Sequence, residues 1–140
     1  MALPTKIQLQ IVAPDRSLVN ETVDEVEIPG ADGYFGVLPG HTPLLAMLGA
    51  GEMWYRQGSE KTYIALAFGF AEVQPDRVAI LAMTAERPED IDVARAEAAK
   101  KRAEERLAKP IIDMDAERVR IALMKSLIRL QVASRARIRS

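Results

Sequence analysis

The sequence has no cysteine and a single histidine, His41. The first absence excludes disulfides, thiolate metal sites and a cysteine nucleophile, and the second excludes a histidine metal cluster. Long apolar runs are missing too. None approaches the ~18 residues that a membrane span needs, so no direct membrane insertion is expected. The stretch from Met1 to Gln10 lacks the charged-then-apolar layout of a signal peptide. A cytoplasm-like compartment is expected, with docking onto a membrane complex left open. A net charge of -1 gives no global pull toward nucleic acid or membrane. What is present is 140 residues, 49% apolar and 28% charged. That suits a globular protein of one domain, or one small domain with an appendage.

Glycine and aromatics are also absent from a large part of the chain. All eight glycines lie between Gly30 and Gly69, and all seven aromatics between Tyr34 and Phe70. Beyond Ala85 the chain is rich in Ala, Glu, Lys and Arg. Glycine turns and aromatics suit a sheet, and the later composition suits helices. The boundary is expected near Thr84 to Pro88, dividing residues 1–86 from 87–140. The charges separate as well. Residues 1–85 hold 5 basic and 10 acidic side chains, whereas residues 117–140 hold 7 basic and one acidic.

The first part reads as short strands. Ile7, Leu9 and Ile11 alternate with Lys6, Gln8 and Gln10, and Val26 and Ile28 with Glu25 and Glu27. Met53 to Tyr55, Thr62 to Leu66, Phe68 to Val73 and Val78 to Ala82 are further strands. Turn signals separate them, among them Asp32-Gly33, Pro39-Gly40, Gly49-Ala50-Gly51, Gln57-Gly58 and Pro75-Asp76. Such spacing predicts a sandwich or barrel. The second part reads as two helices. Pro88 suits a helix start, with Asp90 as N-cap. Ala96, Ala99, Ala103 and Leu107 form a flat stripe that lets a second helix approach, and Lys109-Pro110 ends the helix. Asp113 or Asp115 opens the next one. There Val119, Leu123, Leu127 and Leu130 form one apolar row, and Ile121, Met124, Ile128 and Val132 a second. So wide a face packs on the first helix and the sheet, or serves another partner.

A catalytic site is hard to build from these residues. His41 has no cysteine partner, and nothing resembles a phosphate loop or a nucleophile elbow. The glycine-rich run from Gly30 to Gly36 precedes no helix, so it reads as a turn. On the first helix Asp92 and Arg95 are neighbours at i and i+3. Arg102 and Arg106 continue the same side. Such a row suits a phosphate chain, because guanidinium is a fixed bidentate donor. An ordinary surface ion pair is the plainer account. On the last helix Arg118, Lys125 and Arg129 share a side, and Arg135, Arg137 and Arg139 follow. No aromatic accompanies them, which weakens a single-strand nucleic-acid reading.

The run Gly33-Tyr-Phe-Gly-Val-Leu-Pro-Gly-His-Thr-Pro-Leu-Leu45 resembles the signature loop of the epsilon subunit of F-type ATP synthases. The resemblance continues through Gly69 to Val73 and Val78 to Ala82. It reaches Ile91-Asp92-Val93-Ala94-Arg95-Ala96, which is similar to that family's nucleotide-binding motif. It implies an α+β chain: an N-terminal β-sandwich of about ten strands, then an antiparallel two-helix hairpin. It further implies a non-catalytic rotor subunit of the central stalk, whose sandwich binds the gamma subunit and the c-ring. Tyr34, Leu38 and His41 fall in the loop assigned to those contacts, with Tyr34 where an acidic residue is frequent. The hairpin would inhibit ATP hydrolysis by extending toward the alpha and beta catalytic subunits.

ATP is implied as an optional regulatory ligand, with no obligatory cofactor and no metal. Glu86, Ile91, Asp92, Arg95, Ala96 and Arg102 would line its site, with Lys125 and Arg129 from the second helix. The expected location is peripheral, on the cytoplasmic face of a bacterial plasma membrane. The alternatives are a stand-alone nucleotide sensor and a nucleic-acid-binding module using the basic last helix. The acidic first part argues against the latter.

Overall fold

A computed structural model describes residues 3–139. The chain divides between Glu86 and Arg87 into two compact units.

The first unit holds seven strands among the described residues: β1 (Ile7–Ala13), β2 (Arg16–Val23), β3 (Glu25–Gly30), β4 (Gly33–Val37), β5 (Leu44–Gln57), β6 (Glu60–Gln74) and β7 (Arg77–Glu86). They form one hydrogen-bonded sheet in the order β2-β1-β7-β6-β5-β3-β4. Only β1 and β7 pair in parallel. The sheet folds back on itself. Gln57 Nε2 on β5 donates to Glu21 Oε2 (2.9 Å) and to the Thr22 carbonyl (3.0 Å) on β2. The enclosed core contains Ile7, Leu9, Ile11, Val26, Ile28, Met53, Ile64 and Ile80, all fully buried. The expected alternation in β1 and β3 is therefore the real core face.

The strand count differs from ten for a local reason. Along β5 the core-facing residues run through Leu48 and then Gly51, Met53 and Tyr55. On β6 they are Ile64 and Leu66, then Ala71 and Val73; on β7 they are Ile80 and Ala82, then Ala85. In each strand the inward face switches parity at one common level, yet the ladders β5–β6 and β6–β7 carry no register shift. Phe68 (φ +60°) and Gly69 (φ +120°) mark that level. Counted once on each side of it, these three long strands bring seven to ten. Gly49-Ala50-Gly51, expected as a turn, thus lies inside β5. Thr62 to Leu66 and Phe68 to Val73 are one strand. A break in alternation phase looks like a strand end when the ladder is not visible.

A charge cluster fastens the start of β3 to the β5–β6 turn. Lys6 donates to Asp24, Gly58 N–H donates to Asp24 Oδ2 (2.7 Å), and Arg56 Nε donates to Glu25 Oε1 (3.1 Å). The Lys6 ammonium, chiefly, and the Gly58 amide hold the Asp24 carboxyl below its usual range. A lowered folded value means that this contribution to stability is complete above the unfolded pKa, ~4. It is lost as pH falls through the folded value. Asp24→Asn is expected to flatten the acid limb of a stability-against-pH curve measured by urea unfolding, with little change in its slope above pH ~5.

The second unit has a 3₁₀ turn over Pro88–Asp90, then α1 (Val93–Ala108) and α2 (Ala116–Arg139). The N-cap of α1 is Asp92 rather than Asp90: Asp92 Oδ1 accepts from Arg95 N–H at 3.0 Å. Asp90 belongs instead to the 3₁₀ turn, whose Pro88 closes a tighter ring before the α-helix begins. Asp115 opens α2, its Oδ1 accepting from Arg118 N–H at 3.1 Å. The helices are antiparallel neighbours, since α2 packs on α1 and its far end returns to the 3₁₀ turn.

The seam between them is made of small side chains one heptad apart. Ala96 and Ala103 on α1 are buried, as are Val119, Ser126 and Ala133 on α2. Ser126 Oγ satisfies itself on the Leu123 carbonyl at 2.8 Å. The expected leucine row is only partly inward, because Leu127 stays 45% exposed. Close helix approach selects the small row instead.

Candidate functional site

The eight residues assigned to nucleotide binding divide into three that build the hairpin, four cations on its helices, and Glu86. Ile91 is buried just before α1, Asp92 caps the helix, and Ala96 sits in the seam. These three have roles in building the hairpin itself. Asp92 does this through a backbone amide rather than through an ion pair to the Arg95 guanidinium. Arg95 and Arg102 are exposed on α1, while Lys125 and Arg129 are half-buried on α2. Glu86 ends β7 in the first unit. The cleft of the hairpin takes in Arg102 but none of Arg95, Lys125 or Arg129.

The loop residues lie on the first unit. Tyr34 on β4 lays its ring over Gly51, and its hydroxyl accepts from Glu52 N–H at 3.2 Å. Leu38 is exposed. His41 is half-buried; its Nδ1 lies 2.6 Å from the Thr42 carbonyl and its amide donates to Leu38 O. Gly40 N–H donates to the Pro75 carbonyl at 2.7 Å, tying this loop to the β6–β7 turn.

The sequence reading missed a surface. On the face of β5, β6 and β7 opposite the core, Met47 stands opposite Phe70, and Phe70 opposite Leu81. They are 65%, 49% and 57% exposed, with Leu45 and Met83 exposed beside them. Leu45, Phe70 and Leu81 line a depression of about 340 Å³ with Ala79 and Glu72. The signal was legible: Phe68 to Val73 and Val78 to Met83 are apolar at both parities, and a strand that buries one face needs only one. A contiguous apolar patch of this kind marks an interaction surface.

Among the described residues no group of three or more His, Asp or Glu is placed to hold a metal. No helix among them is long and apolar enough to cross a membrane. The arrangement offers an exposed apolar strip on the sheet and exposed cations on the helices.

Comparisons with known proteins agree with this division. The family model for the β-sandwich domain of the ATP synthase delta/epsilon chain matches residues 6–88, and that for its long α-helix domain matches residues 89–134. The chain is 47% identical over 131 residues to ATP synthase epsilon chain 2 of Syntrophotalea carbinolica, covering 93% of this chain and 95% of that one. It is 56% identical over 100 residues to the ATP synthase epsilon chain of Koribacter versatilis, covering 71% and 70%. A chain in the Euglena gracilis mitochondrial ATP synthase structure containing OSCP, F1 and the c-ring superposes with a TM-score of 0.80 at 25% identity. That match covers 99% of this chain and 84% of that chain. With both domains matched in order, and close relatives alike over nearly their full length, the chain belongs to the ATP synthase delta/epsilon chain family, among its epsilon chains.

Proposed function

We propose that this chain is a non-catalytic subunit of the rotating central stalk of a proton-translocating ATP synthase. Its first unit binds the gamma subunit through the apolar strip centred on Phe70. The Leu38–His41 loop faces the c-ring. The single observation that carries this reading is the exposed ladder Met47–Phe70–Leu81 on a rigid sheet. A strip of that kind on a water-facing strand is favoured only if a partner covers it. The chain works on the cytoplasmic face of a bacterial membrane, held there by its partners and not by a span of its own.

The helical hairpin restrains ATP hydrolysis. Its small-residue seam and exposed Met124 and Leu127 support an arm that can leave its own partner helix for a surface on the alpha and beta subunits. The excess of basic side chains after residue 116 suits acidic surfaces there. ATP favours the paired hairpin through Arg95 and Arg102 on one helix and Lys125 and Arg129 on the other. A tenfold shift needs ~1.4 kcal/mol of differential binding. The acidic first unit disfavours a nucleic-acid module, since it repels phosphate backbones. A stand-alone sensor would purify without gamma.

Truncation after Glu86 tests the division of labour. The first unit keeps its own closed core, so assembly with gamma and ATP synthesis are expected to persist. Latent ATP hydrolysis is expected to rise severalfold. Hydrolysis at the level of the full chain would remove the regulatory role and leave the stalk role standing.

A further inference from the structure

We propose that Met47 and Met83 form an oxidation site that decides whether the first unit can dock. In an undocked chain a hydroperoxide converts their thioethers to sulfoxides, and the modified strip no longer accepts gamma. The inference rests on the gamma contact proposed above. The chain has no cysteine, so methionine carries its only sulfur. A peroxide that reaches this chain therefore meets a thioether and never a thiol. Met47 on β5 and Met83 on β7 are 65% and 66% exposed, on the side of the sheet turned away from the core. They are the most exposed of the described methionines. Met53 is fully buried in the same unit, and Met114 and Met124 belong to the second unit.

The step is a two-electron oxygen transfer. The sulfur lone pair attacks one peroxide oxygen, an S–O bond forms as the O–O bond breaks, and the departing oxygen leaves as water or an alcohol once it has taken the proton. Reversal needs two thiols of a sulfoxide reductase, which leave as a disulfide while the oxygen leaves as water. The product replaces a polarizable apolar group with a strong hydrogen-bond acceptor. In the free chain that oxygen is hydrated, so the fold is unaffected. Under a docked partner it loses its water. The strip cannot replace it: Met47 stands opposite Phe70, and Leu45, Ala79 and Leu81 carry no side-chain donor either. Glu72, the polar side chain beside them, only accepts when ionised. A desolvated acceptor without a donor opposes binding, whereas the thioether does not. Gamma, once bound, covers the two sulfurs. Oxidation therefore sorts chains before assembly and spares those already assembled.

Dilute hydrogen peroxide, applied to the full chain alone and to the full chain already bound to gamma, tests this, with peptide mass spectrometry locating the added oxygen. In the free chain Met47 and Met83 are expected to oxidise about tenfold faster than Met53. Bound gamma is expected to slow both severalfold. The oxidised chain, freed of peroxide, is expected to keep its urea midpoint and to bind gamma about tenfold more weakly, a loss of ~1.4 kcal/mol. Reductases for both sulfoxide epimers are expected to restore binding. In the double variant Met47→Leu, Met83→Leu the ratio of gamma affinities before and after peroxide is expected to stay near one, whatever the starting affinity. Four results would overturn the proposal: oxidation of Met47 and Met83 no faster than of Met53, unchanged gamma affinity in the oxidised chain, a fallen urea midpoint after peroxide, or an equal loss of affinity in the double variant. The gamma contact is judged separately by Phe70→Glu. If that variant fails to bind gamma while the oxidised parent binds fully, only the oxidation site falls. If that variant binds as the parent does, the contact and the oxidation site fall together.

Discussion

Gly69→Ala is expected to unfold the first unit under conditions where the parent chain is fully folded. A Cβ built on Gly69 would stand 1.9 Å from the Leu81 carbonyl oxygen and 3.0 Å from Ala82 Cα. Both are backbone atoms of the neighbouring strand, so no side chain can turn aside. Gly69 is paired with Leu48 on one flank and Ala82 on the other, and moving it breaks both ladders. Its φ of +120° adds strain for any residue with a side chain. A left-handed backbone alone costs ~1–3 kcal/mol, and the clash adds to it. A loss of about 4 kcal/mol or more consumes most of the stability of an ordinary domain. Urea unfolding followed by circular dichroism reads the effect as a fall in midpoint. Gly33→Ala is the control. Gly33 has φ +133° but nothing within 4 Å of its added Cβ, so only the backbone strain applies. Equal midpoints for the two variants would mean that the close approach to Leu81 does not govern this strand.

Phe70→Glu, one residue further, is expected to do the reverse: to keep the fold and abolish binding to gamma. Phe70 is 49% exposed and points away from the core, so the isolated chain loses little. At a docked interface the same carboxylate would be desolvated among Met47, Leu81 and Leu45 without a cation to match it. Central apolar anchors contribute ~2–4 kcal/mol, and an unpaired buried charge adds a further penalty. A fall in gamma affinity of at least a hundredfold (~2.7 kcal/mol) is expected, measured by surface binding of purified subunits. An unchanged unfolding midpoint must accompany it. Unaltered affinity would count against the proposed gamma contact at this strip.

The sequence made some parts of this structure easy to read. Ile7, Leu9 and Ile11 sit on an edge-adjacent strand with one wet face, so period-two alternation translates directly into burial. Lys109-Pro110 ends α1 because proline cannot continue a helix, and Asp115 caps α2. The N-cap of α1 is Asp92, two residues after the expected Asp90, because Pro88 opens a 3₁₀ turn first and both aspartates look like caps. The long strands were misdivided at Gly49–Gly51 and at Phe68. There the core-facing parity reverses, and only the neighbouring strands show that the ladder runs on. The candidate site was legible as residue types but not as roles. Ile91, Asp92 and Ala96 carry the motif and also build the hairpin, and a one-dimensional pattern cannot separate the two. The strip around Phe70 is not legible from strand assignment alone, because which apolar parity faces the core is set by the neighbouring strands.

The parity reversal gives the sheet a mechanical property. Because β5, β6 and β7 pass through it without a slip in pairing, one three-stranded ribbon turns opposite sides outward above and below Phe68–Gly69. The same backbone therefore joins Phe70 to the half of the sheet beyond the reversal, in one register and with no loop between them. A component of a turning shaft needs such a direct connection between where torque enters and where it leaves.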